Sequence, residues 1–288
     1  MTKLKDQAEL AKCAGKTELA EKTESARSAD KTEFTKLADK TGLSESADKA
    51  GLVSSAAKTG SAEAAGKAES ADKTEHTEFA AADRISSYAD RTISYYDANA
   101  ADFVETTQTV DFNETQEIFL SYLQPHGELH ILDFGCGSGR DAKYFINQGY
   151  RVTAADGSAE ICKAASEYLG QPVRHMLFHE LNDRDIYDGI WACASILHLT
   201  KKELPGVLCR MRTALRENGV IYTSFKYGTF EGERNGRYFT YFTEESFSEI
   251  LAQIPGLQIE KMWTTGDVRE GRGDERWLNV ILRRVCSM

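Results

Sequence analysis

The sequence predicts an α/β protein built on a doubly wound, mostly parallel sheet of seven strands that ends in an antiparallel hairpin. Two observations predict it. Between Glu128 and Gly228 short apolar runs alternate with amphipathic stretches of roughly 10 to 15 residues, which is the pattern of β-helix-β units. Beyond Leu257 two further apolar runs, LQIEKMWTT and ERWLNVILRR, are joined by the polar, glycine-rich GDVREGRGDE and by no helix, so they must pair antiparallel.

Taken in order, ELHILDF is a first strand that stops at glycines, RDAKYFINQG a helix closed by Gly149, and YRVTAAD a second strand. SAEICKAASEYLG is a helix closed by Gly170; VRHMLF and YDGIWACAS are the third and fourth strands. TKKELPGVLCRMRTAL is a helix whose Thr200-x-x-Glu203 reads as a capping box, with Pro205 close enough to its start to be tolerated. GVIYTSFKYG is the fifth strand, TFEGERNGRYFT a polar loop, and FTEESFSEILAQIPG the last helix. Ahead of the sheet, amphipathic helices are expected from about Asp83 to Val104 and from Asn113 to Leu123, the second opened by an Asn113-x-x-Gln116 capping box.

The chain has 288 residues, enough for this domain (83–288) and an appendage (1–82). The appendage repeats a short unit (AEKTE, ADKTE, ADKTG) with lysines at Lys22, Lys31, Lys40, Lys49, Lys58 and Lys67, nine residues apart. Nine residues make two and a half helical turns, so successive units fall on opposite faces and no continuous apolar stripe forms. A disordered or intermittently helical low-complexity tail is expected, available to a protein partner.

A net charge of −10 argues against general nucleic-acid binding and for a small-molecule substrate. The six cysteines include no C-x-x-C pair and read as reduced thiols. His175, His179 and His198 lack metal-ligand spacing, so no metal is expected. With no apolar leader and no membrane-length apolar run, the expected location is cytoplasmic and no membrane association is expected.

The ligand signal is ILDFGCGSGR. Gly135, Gly137 and Gly139 fall in the first strand-to-helix turn, the part of a doubly wound sheet that approaches its ligand most closely. A dinucleotide fingerprint would need glycine at 140, where Arg140 stands, which weakens the alternative of an NAD-dependent oxidoreductase. Asp133 before the loop suits an ammonium group, and Asp156 at the end of the second strand suits ribose hydroxyls.

This D-x-G-x-G-x-G arrangement resembles the class I S-adenosylmethionine-dependent methyltransferases over roughly residues 93–284; within them the look is of small bacterial enzymes of the tellurite-resistance type. The resemblance implies a Rossmann-like sheet, S-adenosyl-L-methionine as cofactor, and methyl transfer to a small-molecule acceptor. It implies that Asp133 and Gly135 to Gly139 cradle the methionine moiety, Asp156 the ribose, and Leu181 with Asn182 the adenine. It puts Ala194 and Ser195 near the sulfonium, and SYYDANAADF, with Tyr95, Tyr96 and Asn99, over the cofactor. His198, just past the fourth strand, is the candidate general base. Lys226, Tyr227, Arg237 and Arg272 are candidates for binding an anionic acceptor. A methyltransferase-like domain that binds without turnover is the other alternative.

Overall fold

A computed structural model describes residues 88–269 and 271–285. The repeat lies outside the described residues. The central sheet contains β1 (His130–Phe134), β2 (Arg151–Asp156), β3 (Arg174–His175), β4 (Tyr187–Ala192), β5 (Leu215–Lys226), β8 (Leu257–Gly266) and β9 (Arg276–Arg284) in the order β3-β2-β1-β4-β5-β9-β8. β1 pairs parallel with β2 and β4, and β4 with β5; β9 lies antiparallel between β5 and β8. The expected fold class and C-terminal antiparallel pair are present.

Each central strand is buried on both faces, so alternate residues enter different cores. Leu132, Ile190, Ile221 and Leu282 pack on one side with α6 (Leu204–Ala214) and α7 (Glu244–Leu251), whose Leu208, Met211, Phe247 and Leu251 complete that core. Ile131, Trp191, Tyr222 and Ile281 face the other side, against Phe119 of α3 (Asn113–Ser121) and Phe145 of α4 (Arg140–Asn147). Trp191 stacks on Tyr222 at 4.1 Å between ring centroids.

A buried carboxylate organises this second side. Asp141 accepts from Gln116 Nε2 at 2.6 Å, Trp191 Nε1 at 2.8 Å, and the Arg140 guanidinium at 2.8 and 2.9 Å. Gln116 is therefore committed to Asp141, and the expected Asn113–Gln116 capping box does not form; the Asn113 N–H goes to Asp111 Oδ1 instead. The Thr200–Glu203 box does form: Thr200 N donates to Glu203 Oε2 at 2.8 Å and Glu203 N returns to Thr200 Oγ1 at 3.2 Å. α5 (Ala159–Leu169) is capped by Ser158 Oγ, which accepts from Ile161 N, and closed by left-handed Gly170.

Three elements differ from expectation. The first amphipathic stretch divides at Asn99 into α1 (residues 88–98) and α2 (Ala100–Thr107). The third strand keeps only two residues, after which Phe178–Glu180 form a short 3₁₀ turn. The polar loop after β5 is a hairpin, β6 (Glu231–Arg234) and β7 (Arg237–Thr240), turned by Asn235 and Gly236 with φ of 52° and 75°. Positive φ at both central residues fits a type I′ turn, whose Asn-Gly preference is written in the sequence.

Asp141→Asn keeps the size but converts one acceptor oxygen into a donor facing other donors. We expect a loss of about 2–4 kcal/mol in urea unfolding, as for breaking a buried charged network; a loss under about 1 kcal/mol would show that the network is dispensable.

Candidate active site

The strand order reverses between β1 and β4, and at their carboxyl ends the two following turns meet. Gly135 N and Cys136 N both donate to Ala155 O, at 2.8 and 2.9 Å, while Ser195 Oγ donates to Phe134 O at 2.7 Å. A Cβ on Gly135 would sit 2.4 Å from Ser195 Cβ, and Gly135 already has φ of 83°. The glycine is thus demanded by the neighbouring turn as well as by any ligand. Gly137, with φ of 52°, has the ring of Phe103 in α2 above it, 3.0 Å from where a Cβ would be.

Above this floor lies a cavity of about 300 Å³. Gly135, Gly137, Asp156, Ala194, Tyr96 and His198 all line it, as expected from the sequence. Asp156 Oδ2 accepts from Gly137 N at 3.0 Å and Oδ1 from Ser158 N at 2.9 Å, so the acid also holds the glycine loop in place. Burial raises its pKa, and those backbone donors pull it back. Ala194, with φ of 49°, holds the turn after β4 by donating its N–H to Ser224 Oγ.

Other expected site residues are elsewhere. Asp133 is buried and does not line the cavity; its Oδ2 accepts from Ala142 N, tying β1 to α4. Burial, and then the nearby Asp141 charge, push its carboxyl well above the ordinary range. Gly139 is the left-handed N-cap of α4, packed toward Leu169, outside the lining. Leu181 is a core residue and Asn182 is exposed, neither lining the cavity. Because β3 stops at His175, it is Met176, Leu177 and Phe178 that form the wall there. The apolar HMLF run was a usable signal for that wall, hidden by reading it as strand.

Of the four residues expected to gather around an anion, Lys226, Arg237 and Arg272 line the cavity and Tyr227 does not. The Tyr227 ring lies beneath the Arg276 guanidinium, at 4.8 Å. Lys226 is paired with Glu275. Arg272 is exposed.

A second polar group at the cavity is formed by Tyr96, His198 and Arg237. His198 Nδ1 lies 2.6 Å from Tyr238 O, and a carbonyl can only accept, so neutral His198 carries its proton on Nδ1. Nε2 is then an acceptor, and Tyr96 Oη at 2.9 Å must donate to it. Burial, with Arg237 as a smaller contributor, lowers the His198 pKa to about 4, against the hydrogen bond to Tyr238. Arg237 Nη1 approaches Tyr96 Oη at 3.5 Å, and its guanidinium lies over Tyr95 at 4.4 Å and Phe239 at 5.1 Å. This cluster was not legible as such, because α1, the turn after β4 and the hairpin are far apart in sequence.

Residues 132–221 match the family described as methyltransferase domain. The matched segment holds the glycine loop, Asp156 and β4, and it is this part of the chain that is similar to a methyltransferase domain. It is 32% identical over 125 residues to N-terminal Xaa-Pro-Lys N-methyltransferase 1 of Homo sapiens, covering 39% of this chain and 56% of that protein. With N-terminal Xaa-Pro-Lys N-methyltransferase 2 of Danio rerio the identity is 32% over 131 residues, covering 42% and 47%. The chain thus spans about half the length of the curated relatives it matches. The crystal structure of Burkholderia thailandensis 1,6-didemethyltoxoflavin-N1-methyltransferase, with 1,6-didemethyltoxoflavin and S-adenosylhomocysteine bound, superposes with a TM-score of 0.51 at 24% identity, covering 76% of this chain and 93% of that one. That likeness concerns the fold.

The cavity presents side-chain-free backbone at Gly135 and Gly137, a carboxylate at Asp156, and an apolar wall of Met176, Leu177 and Phe178.

A histidine held at about 4 when folded and near 6.5 when unfolded binds protons preferentially in the unfolded state between those values. Stability from neutral His198 is therefore complete above pH 6.5 and is lost as pH falls toward 4. His198→Asn, which cannot titrate, should flatten this slope, so the wild-type advantage shrinks by about 2 kcal/mol across that window. Unfolding midpoints of the two proteins at several pH values test this; parallel curves would place His198 in a water-like setting.

Proposed function

We propose that this chain transfers a methyl group from S-adenosylmethionine to a small-molecule acceptor. The observation that carries this reading is the junction at Gly137, where the glycine loop and Asp156 are hydrogen-bonded to each other at the edge of the cavity. Backbone from Gly135 to Ser138 would hold the methionine part, Asp156 the ribose hydroxyls, and Met176 to Phe178 the adenine. The cofactor supplies a methyl carbon already activated by its sulfonium charge.

What the chain itself must do is align and dehydrate, since an in-line displacement is sensitive to geometry above all. Phe103, Tyr96 and Phe239 are suited to excluding water from the acceptor end. An acceptor hydroxyl or amine bonded to Tyr96 Oη could pass its proton to the phenol while the phenol passes its own to His198 Nε2. His198, our candidate base, would thus act through Tyr96. With its pKa near 4 it is a weak base at neutral pH, suiting an acceptor that loses its proton late or arrives already ionised.

The curated relatives support a second reading, methylation of a peptide N-terminus, through their 32% identity to this chain. A cation at the acceptor end, Arg237, weighs against that reading because a peptide amine beside a lysine brings positive charge.

Calorimetric titration should give micromolar-range binding of S-adenosylhomocysteine. Gly137→Val, which puts a branched side chain against Phe103 at a positive φ, should abolish it, and Asp156→Ala should weaken it at least tenfold. Absence of binding to folded wild-type protein would defeat the proposal; binding without methylated product across an acceptor panel would favour a non-catalytic binding protein.

A further inference from the structure

We infer that the acceptor enters as an anion, a small carboxylate-bearing molecule whose carboxylate is received by Arg237; this rests on the methyl-transfer reading and names its acceptor class. The cations lining the cavity are not equivalent. Arg140 is held by Asp141 at 2.8 Å, Arg269 by Asp267 at 2.5 Å, and Lys226 by Glu275. Their charges are already balanced inside the protein. Among the described residues, no carboxylate pairs with Arg237.

Its hydrogen bonding is equally incomplete. Arg237 Nε is buried with no partner, and the contact of Nη1 with Tyr96 Oη, at 3.5 Å, is long. Buried donors are nearly always satisfied, and a guanidinium left open inside a cavity calls for a ligand that supplies acceptors. A carboxylate matches the fork of Arg in two parallel bonds, which a neutral amide cannot reproduce and an ammonium would oppose.

The aromatic rings around Arg237 hold it without spending its donors. The Arg237 guanidinium carbon lies over the rings of Tyr95 and Phe239, 4.4 and 5.1 Å from their centroids, contacts that take up none of its N–H donors. The carboxylates that share the cavity are already engaged: Asp267 by Arg269 and Trp277, Asp141 by its own network, Glu203 by Thr200, and Asp156 by the glycine loop. Arg272 also lines the cavity and pairs with no carboxylate among the described residues, but it is exposed to solvent, whereas Arg237 is half-buried; Arg237 is therefore the open cation that an incoming anion meets beside the Tyr96–His198 pair.

The test uses the full chain saturated with S-adenosylhomocysteine and, as probes, benzoate and phenylacetate, each against its own amide, together with benzylamine. Affinities are read by calorimetry, independently of turnover. Each carboxylate should bind at least tenfold tighter than its amide, and benzylamine weakest of all. Arg237→Gln should erase the carboxylate-over-amide preference, and Arg237→Lys, which keeps the charge and loses the fork, should retain only part of it. Wild-type protein that binds benzylamine as well as benzoate, or shows no carboxylate preference, overturns the inference without needing a variant. A preference that survives Arg237→Gln overturns the assignment to Arg237. Failure to bind S-adenosylhomocysteine in the first place defeats the methyl-transfer reading beneath it, so the two failures are distinct.

Discussion

Asp141 is a negative charge with almost no access to solvent, and the protein around it is arranged to make that tolerable. Its two oxygens take donors from α3, from β4 and from the adjoining arginine, so α3, β4 and α4 are bound to one point. Because it lies in the first turn of α4, it also complements the positive end of that helix. The helix position fixes where the glycine loop must run, and Trp191 fixes how β4 lies beside β1. The switch point of the sheet inherits its geometry from that charge. The arrangement has a cost: Gln116 gives Asp141 its amide nitrogen, while its own oxygen is left buried without a partner.

The glycine loop serves two masters. Its backbone faces the cavity, but the tightest approach at Gly135 comes from Ser195 of the same chain. Asp156 is likewise a structural acid, accepting from the loop amides, before it is a ligand-binding one. Acids at such positions can do both because each carboxylate oxygen accepts more than one hydrogen bond.

How far the sequence could be read depended on the range of the interactions. The strands, their parallel core and the closing hairpin followed from short apolar runs and their helix-length spacing, which are local. So did the Thr200–Glu203 cap and the helix ends at Gly149 and Gly170. Asp133 lies outside the cavity lining, its Oδ2 turned to Ala142 N across the loop, a contact that no local pattern encodes. Leu181 and Asn182 lie outside the lining, where Met176 to Phe178 stand after a β3 that ends early. Tyr96 and His198 were each singled out, yet their hydrogen bond joins positions 102 residues apart, and no local pattern encodes it. The β6–β7 hairpin was the opposite case: its Asn235-Gly236 turn was in plain view, and charged neighbours made it read as loop.

That hairpin is a two-stranded sheet separate from the main one, inserted between β5 and α7. It brings Arg237 and Phe239 to the cavity while contributing nothing to the glycine loop or to the pairing of β1 with β4. In the methyl-transfer reading proposed above, the residues assigned to the donor and those assigned to the acceptor therefore lie in different parts of the chain, and a short contiguous hairpin carries Arg237 and Phe239. The same segment also holds His198 through the Tyr238 carbonyl, so the acceptor end and its candidate base are tied to one hairpin.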